Sequence, residues 1–92
     1  MKVYTSGKYL ANLKKLTAIK PPLNHEVIKA VRRFEKNPRD TRLKVHALRK
    51  RLKGKLALSV NEDIRIVFEY LGKSTVRFLT IDKHNKVYSR FS

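Results

Sequence analysis

Cysteine is absent from these 92 residues. No disulfide can staple the fold, and thiolate chemistry is excluded. Acidic residues are scarce too: seven against 23 Lys and Arg, for a formal net charge of +16. Self-repulsion on that scale costs stability, so the charge is expected to serve binding. RNA, DNA or an acidic protein are the natural partners, with an anionic membrane surface a weaker one. With only three glycines, the chain has no Gly-rich nucleotide loop, and no serine lies in a nucleophile motif. No apolar run approaches the ~20 residues of a membrane span, so no membrane partner is expected. Residues 1–7 lack the apolar stretch of a signal peptide, and the expected location is the cytoplasm. His25, His46 and His84 show no paired ligand spacing, so neither metal nor cofactor is expected. A helix-turn-helix reading is poor, because Pro21-Pro22 interrupts the link between the predicted helices.

What is present is enough for one modest core. The length predicts a single domain over 1–92, and 41% apolar residues exclude a wholly disordered chain. Residues 2–6 read as a short strand. Tyr9, Leu10, Leu13 and Leu16 recur at helical spacing over 7–18. Pro21-Pro22 breaks the chain. Asn24 reads as the N-cap of a second helix with Glu26 in its first turn and Val27, Ile28, Val31 and Phe34 as its stripe. Asn37-Pro38 ends it.

The period then changes from helical to alternating. Leu56, Leu58 and Val60 share one face of a strand over 55–60, and Asn61-Glu62 is a turn. Over 63–70, Ile64, Ile66, Phe68 and Tyr70 point one way and Arg65, Val67 and Glu69 the other. A turn at 71–74, a third strand over 75–81, a polar connection over 82–86 and a short terminal strand over 87–91 complete the reading. The expected class is α+β: an N-terminal strand and an antiparallel helical hairpin packed on one face of a twisted antiparallel sheet. The helices should cover Ile64, Ile66 and Phe68, leaving the face with Arg65 open for binding.

Seven of the fourteen residues from 42 to 55 are cationic and none is acidic: Arg42, Lys44, Arg49, Lys50, Arg51, Lys53 and Lys55. Such a stripe suits the phosphates of a polyanion. His46 lies within it, and Gly54 lets a backbone approach closely. Taken singly, each candidate also has an ordinary structural reading. Arg65 is either a solvated strand residue paired with Glu69 or a bidentate phosphate clamp. His46 is either a loop imidazole satisfied by backbone or a proton-transfer group, and His84 an exposed turn residue or a second such group. Tyr88 is a packing residue or a chemical one. Asp63 caps a turn or takes part in a site.

Four pieces stand in order: Val45-His46-Ala47-Leu48, Leu52-Lys53-Gly54-Lys55-Leu56, Asn61-Glu62-Asp63-Ile64-Arg65-Ile66-Val67-Phe68, and Ile81-Asp82-Lys83-His84-Asn85-Lys86-Val87-Tyr88. Together they resemble the RelE/ParE toxin superfamily, in its RelE, YafQ and YoeB branches of type II toxin–antitoxin systems. The resemblance spans nearly the whole chain. It implies a RelE-like fold and an mRNA interferase: a metal-free endoribonuclease that cleaves mRNA in the ribosomal A site and so inhibits translation. By position it makes His46 the base-side group, Arg65 the phosphate-stabilising group and His84 the acid-side group. Tyr88 would orient or stack on a nucleotide, Asp63 would position a His, and Lys53 and Lys55 would hold the RNA backbone. The implied partners are a cognate acidic antitoxin, the ribosome with its RNA, and mRNA, with operator DNA reached only through the antitoxin complex. Two departures stand out. Asp82-Lys83-His84 replaces a Gly-Thr-His-like turn, and Ser59 stands where YafQ-like members often carry another His.

RNA carries its own nucleophile, the 2′-OH, so such an enzyme needs a base, an acid and cations around the phosphorane. Two other readings compete. One is a ParE-like inhibitor of DNA gyrase on the same fold. The other is a basic module that coats RNA without cutting it.

Overall fold

The computed structural model describes residues 1–49 and 53–91. The chain opens with β1 (Lys2–Thr5). Ser6 then caps α1 (Gly7–Ile19), its hydroxyl accepting the Tyr9 N–H at 3.0 Å and donating to the Leu79 carbonyl at 2.7 Å. One serine thus starts the helix and ties it to the sheet. α2 (Leu23–Lys36) follows after three residues. Its N-cap is Pro22, not the expected Asn24. Proline's fixed φ suits a helix start, and the Asn24 N–H is already taken by the Pro21 carbonyl at 3.1 Å.

A 3₁₀ turn at Thr41–Leu43 leads to β2 (His46–Ala47), β3 (Leu56–Ser59), β4 (Ile64–Gly72) and β5 (Thr75–Lys83). The strand order is β1-β5-β4-β3-β2. The meander is antiparallel as expected, but β1 runs parallel to β5, with Val3 opposite Val76. The sheet is therefore mixed. A parallel neighbour needs a long crossover, and the whole chain from α1 to β4 supplies it.

α1 and α2 cover one face. Tyr9, Leu23, Val27, Ala30 and Phe34 pack there on Leu58, Ile64, Ile66, Phe68, Val76, Phe78 and Ile81. Phe78 and Ile81 are three apart, yet both reach this core. The register shift opposite Val67 and Phe68 makes that possible, since a bulge resets the alternation.

The terminal segment departs from expectation. Residues read as a strand over 87–91 form a helix, α3 (His84–Phe91). β5 runs on to Lys83, so no polar connection separates the two. Fully buried Val87 explains the change, because it packs against Leu48, Ala57 and Val67 in a second small core. Hence the face bearing Arg65 is not open along its length: α3 and Leu48 cover part of it. Among the described residues no helix is long and apolar enough to cross a membrane.

Candidate functional site

The ladder fixes which side chains share the α3 side of the sheet. His46 pairs with Ala57, and Ala57 with Val67. Ser59 pairs with Arg65, and Arg65 with Asp82. Directly opposed residues point to the same face, as do residues two apart. His46, Ser59 and Arg65 therefore stand on the face opposite α1 and α2, while Asp82, past the bulge in β5, lines a recess with Asn12 and Lys15 of α1. Ladder spacings put the α carbons of His46 and Arg65 roughly 12 Å apart.

Arg65 is 9% exposed. Its Nη1 donates to the carbonyls of Asn61 at 2.5 Å and Ile64 at 3.1 Å. Among the described residues Nε and Nη2 make no hydrogen bond, so part of the fork remains for an anion. Burial lowers the guanidinium's pKa from its ordinary value, and the charges of Asp63 and Glu62 oppose that shift. The alternative pairing with Glu69 does not occur. Glu69 instead accepts from Lys55 at 2.6 Å and Arg77 at 3.2 Å, and the Lys55 hydrogen bond holds its carboxyl below the usual range.

His84 opens α3, and its backbone N–H donates to the Asp63 carbonyl at 2.6 Å. Asp63 thus anchors the segment carrying His84, but by its backbone. It does not cap the turn either: Asn61 Oδ1 accepts from the N–H groups of Asp63 and Ile64 at 2.8 and 2.7 Å. Asn61 also reaches Glu26 of α2 at 3.1 Å. One turn residue holds Arg65, the start of β4 and a helix on the far face. The sequence marked it only as a turn, since an Asx turn is the readable signal and the rest is tertiary.

His46 lies in β2 with Nδ1 2.9 Å from the Lys44 carbonyl. A carbonyl only accepts, so Nδ1 is the protonated donor of this bond. Ser59, directly across from Arg65, is 7% exposed, and its Oγ has no partner among the described residues.

The basic stripe divides. Arg42 is bound to Asp40 by Nε at 3.0 Å and Nη2 at 2.7 Å, which holds the Asp40 carboxyl down at about 2. Lys55 is committed to Glu69. Lys44, Arg49, Lys53 and Gly54 are exposed, and Gly54 has the positive φ of 91° that its turn requires. Lys50 and Arg51 lie outside the described residues, as does Leu52. Tyr88 falls in α3, not on a strand, and its side chain is outside the described residues as well. Among the described residues no cluster of His, Asp and Glu is placed to hold a metal ion.

An open mixed sheet with a helical hairpin on one face and a short terminal helix on the other is the fold of RelE/YafQ/YoeB-like bacterial toxins, and this chain has that fold. The structure of YafQ from E. coli strain BL21(DE3) aligns with a TM-score of 0.77 at 18% identity, covering 95% of this chain and 97% of that one. The YoeB/ParE toxin from Agrobacterium tumefaciens aligns with a TM-score of 0.75 at 13% identity, covering 91% and 99%. The YoeB–YefM toxin–antitoxin heterotetramer from Staphylococcus aureus matches with a TM-score of 0.71 at 13% identity, covering 91% and 97%. No family model and no curated protein matches the sequence.

Proposed function

We propose that this chain is the toxin of a type II toxin–antitoxin system and a ribosome-dependent endoribonuclease. The observation that carries the reading is the placement of His46 and Arg65 on one sheet face, with the start of α3 and His84 pinned to the strand end beside Arg65. Nε2 of His46 takes the proton of an RNA 2′-OH. The 2′-oxygen forms its bond to phosphorus as the bond to the 5′-oxygen breaks, and His84 protonates that leaving oxygen. Arg65 and the cations of the 53–55 turn stabilise the phosphorane charge. The product is a 2′,3′-cyclic phosphate, and DNA is inert because it lacks the nucleophile. An acidic antitoxin is the expected inhibitor, and the YoeB–YefM complex on this fold supports that partner.

Primer extension on a defined mRNA, with translation running and then blocked, tests the reading. Discrete cleavage only while ribosomes translate is the expected result; intact mRNA in a growth-arrested cell would remove it. One observation favours a basic module that binds RNA without cutting it: Nη1 of Arg65 is tied to two backbone carbonyls. Equal growth inhibition by a His46→Ala, His84→Ala double variant would select that second reading.

A further inference from the structure

A recess lies on the helix-covered side of the sheet, where Tyr70 of β4 meets the segment after α2. It has a volume of about 480 Å³, and Pro38, Arg39, Asp40, Lys44, Val45 and Tyr70 are among the residues that wall it. That size falls in the range of small-ligand sites. Tyr70, near the end of β4, is 45% exposed. The ring is not loose, because it stands edge-on to fully buried Phe68 at 5.9 Å between centroids. Its hydroxyl has no hydrogen-bond partner among the described residues.

The charge around the ring is positive. Asp40 is spent on Arg42 at 2.7 Å, whereas Arg39 and Lys44 are in no ion pair among the described residues. Lys44 has φ 49° and ψ 42°, a left-handed conformation that residues with a Cβ rarely adopt. Here it caps the 3₁₀ turn, with the Lys44 N–H donating to the Thr41 carbonyl at 3.2 Å. Lys44 both lines the recess and gives its carbonyl to His46 Nδ1. Two residues of chain span at most ~7 Å, but Val45 and Tyr70 face the helix-covered side and His46 the other, so the recess and the imidazole meet only round the β2 edge of the sheet.

We propose that this recess is a nucleotide subsite. Tyr70 stacks on one base of a single-stranded RNA, and Arg39 and Lys44 hold that nucleotide's phosphate. The inference rests on the RNA reading above and adds to it a grip on a nucleotide set apart from the one cut at His46, round the β2 edge of the sheet. A single strand is required because a paired base has no free face for the ring. An acidic peptide would satisfy the two cations but would have no use for the stacking surface.

The test uses a fluorescein-labelled 12-mer RNA with every 2′-OH methylated, so that it binds without being cut, and a duplex of the same sequence. Tyr70→Ala should weaken single-strand binding by ~5- to 150-fold, the range of stacking on an aromatic side chain. Tyr70→Phe should bind as the parent does, and the duplex should not discriminate among the three. Arg39→Ala should lower the slope of log affinity against log salt by about 0.7. Failure of the parent to bind, or unchanged binding by Tyr70→Ala, would overturn the subsite. Equal weakening toward single strand and duplex, or a matching loss of affinity for polyglutamate, would overturn it as well. The two proposals separate cleanly. Tyr70-dependent binding with no mRNA cleavage in cells keeps the subsite and removes the nuclease; cleavage with Tyr70-independent binding does the reverse.

Discussion

On the side of the sheet covered by α1 and α2, Phe34, Phe68 and Phe78 meet with ring centroids 4.8 to 6.5 Å apart, and Tyr9 stands 5.3 Å from Phe78. Thr80 serves that side too, accepting from Asn12 of α1 at 2.8 Å. On the side covered by α3, the buried apolar core among the described residues is Leu48, Ala57, Val67 and Val87, with Leu79 beside it. Around these described core residues stand a buried arginine, a serine hydroxyl without a partner among the described residues, and a histidine on an edge strand. A dense aromatic core holds the sheet rigid, which frees the opposite face to carry polar groups that would be expensive in a core. Stability and candidate chemistry are thus divided between the two faces.

Deleting core volume should break this comparison most visibly. Phe68→Ala should cost about 3–5 kcal/mol, whereas Val87→Ala should cost about 1–3 kcal/mol. With total stability of ~5–15 kcal/mol for domains of this kind, the first variant approaches unfolding and the second does not. Urea midpoints at constant slope measure both. Equal costs would mean that α3 carries as much of the fold as the helical hairpin.

Alkali should find the helix-covered face next. Burial pushes the Tyr9 phenol up to about 12 from an ordinary value of 10. The folded state therefore holds that proton more tightly than the unfolded one. Its contribution is complete below pH 10 and is lost as pH rises through about 12. The slope is ~1.4 kcal/mol per pH unit, or about 2–3 kcal/mol over the window. The difference in unfolding free energy between the parent and Tyr9→Phe, followed from pH 9 to 12, isolates it. A difference that stays flat would mean Tyr9 is hydrated.

The smallest effect should come from paired hydroxyl deletions. Thr80→Val orphans Asn12 and should cost about 1 kcal/mol, whereas Ser59→Ala removes an unpartnered buried hydroxyl and should be close to neutral. Thermal midpoints of the two variants give the contrast. A Ser59→Ala loss larger than that of Thr80→Val would place an unseen structural partner on the α3 side.

Local patterns made much of this legible. Alternation of Leu56, Leu58, Ile64, Ile66 and Phe68 marked the meander and its helix-covered face, because period two is a local property of a strand with one buried side. Pro21-Pro22 and Asn37-Pro38 bounded the second helix for the same local reason. What the sequence hid depends on distant partners. Val87 becomes helical because Ala57 and Val67 leave room for it across the sheet, and nothing within 87–91 reports that. The parallel pairing of β1 with β5 has no periodic signature. Arg65 is legible as a site residue by motif, but its burial and its bonds to Asn61 and Ile64 are not, since they follow from how the 61–63 bend folds back. The basic stripe overstated the available charge, because Arg42 and Lys55 find carboxylates at Asp40 and Glu69 that spacing alone did not assign.

The division of labour between the faces is tested most directly by the cleavage rate of one defined mRNA on translating ribosomes, measured for the parent and for His84→Ala at equal folded concentration. The account predicts a rate lower by ~10²–10⁴, with the thermal midpoint unchanged because His84 is exposed. An unaltered rate in a folded His84→Ala chain would contradict it.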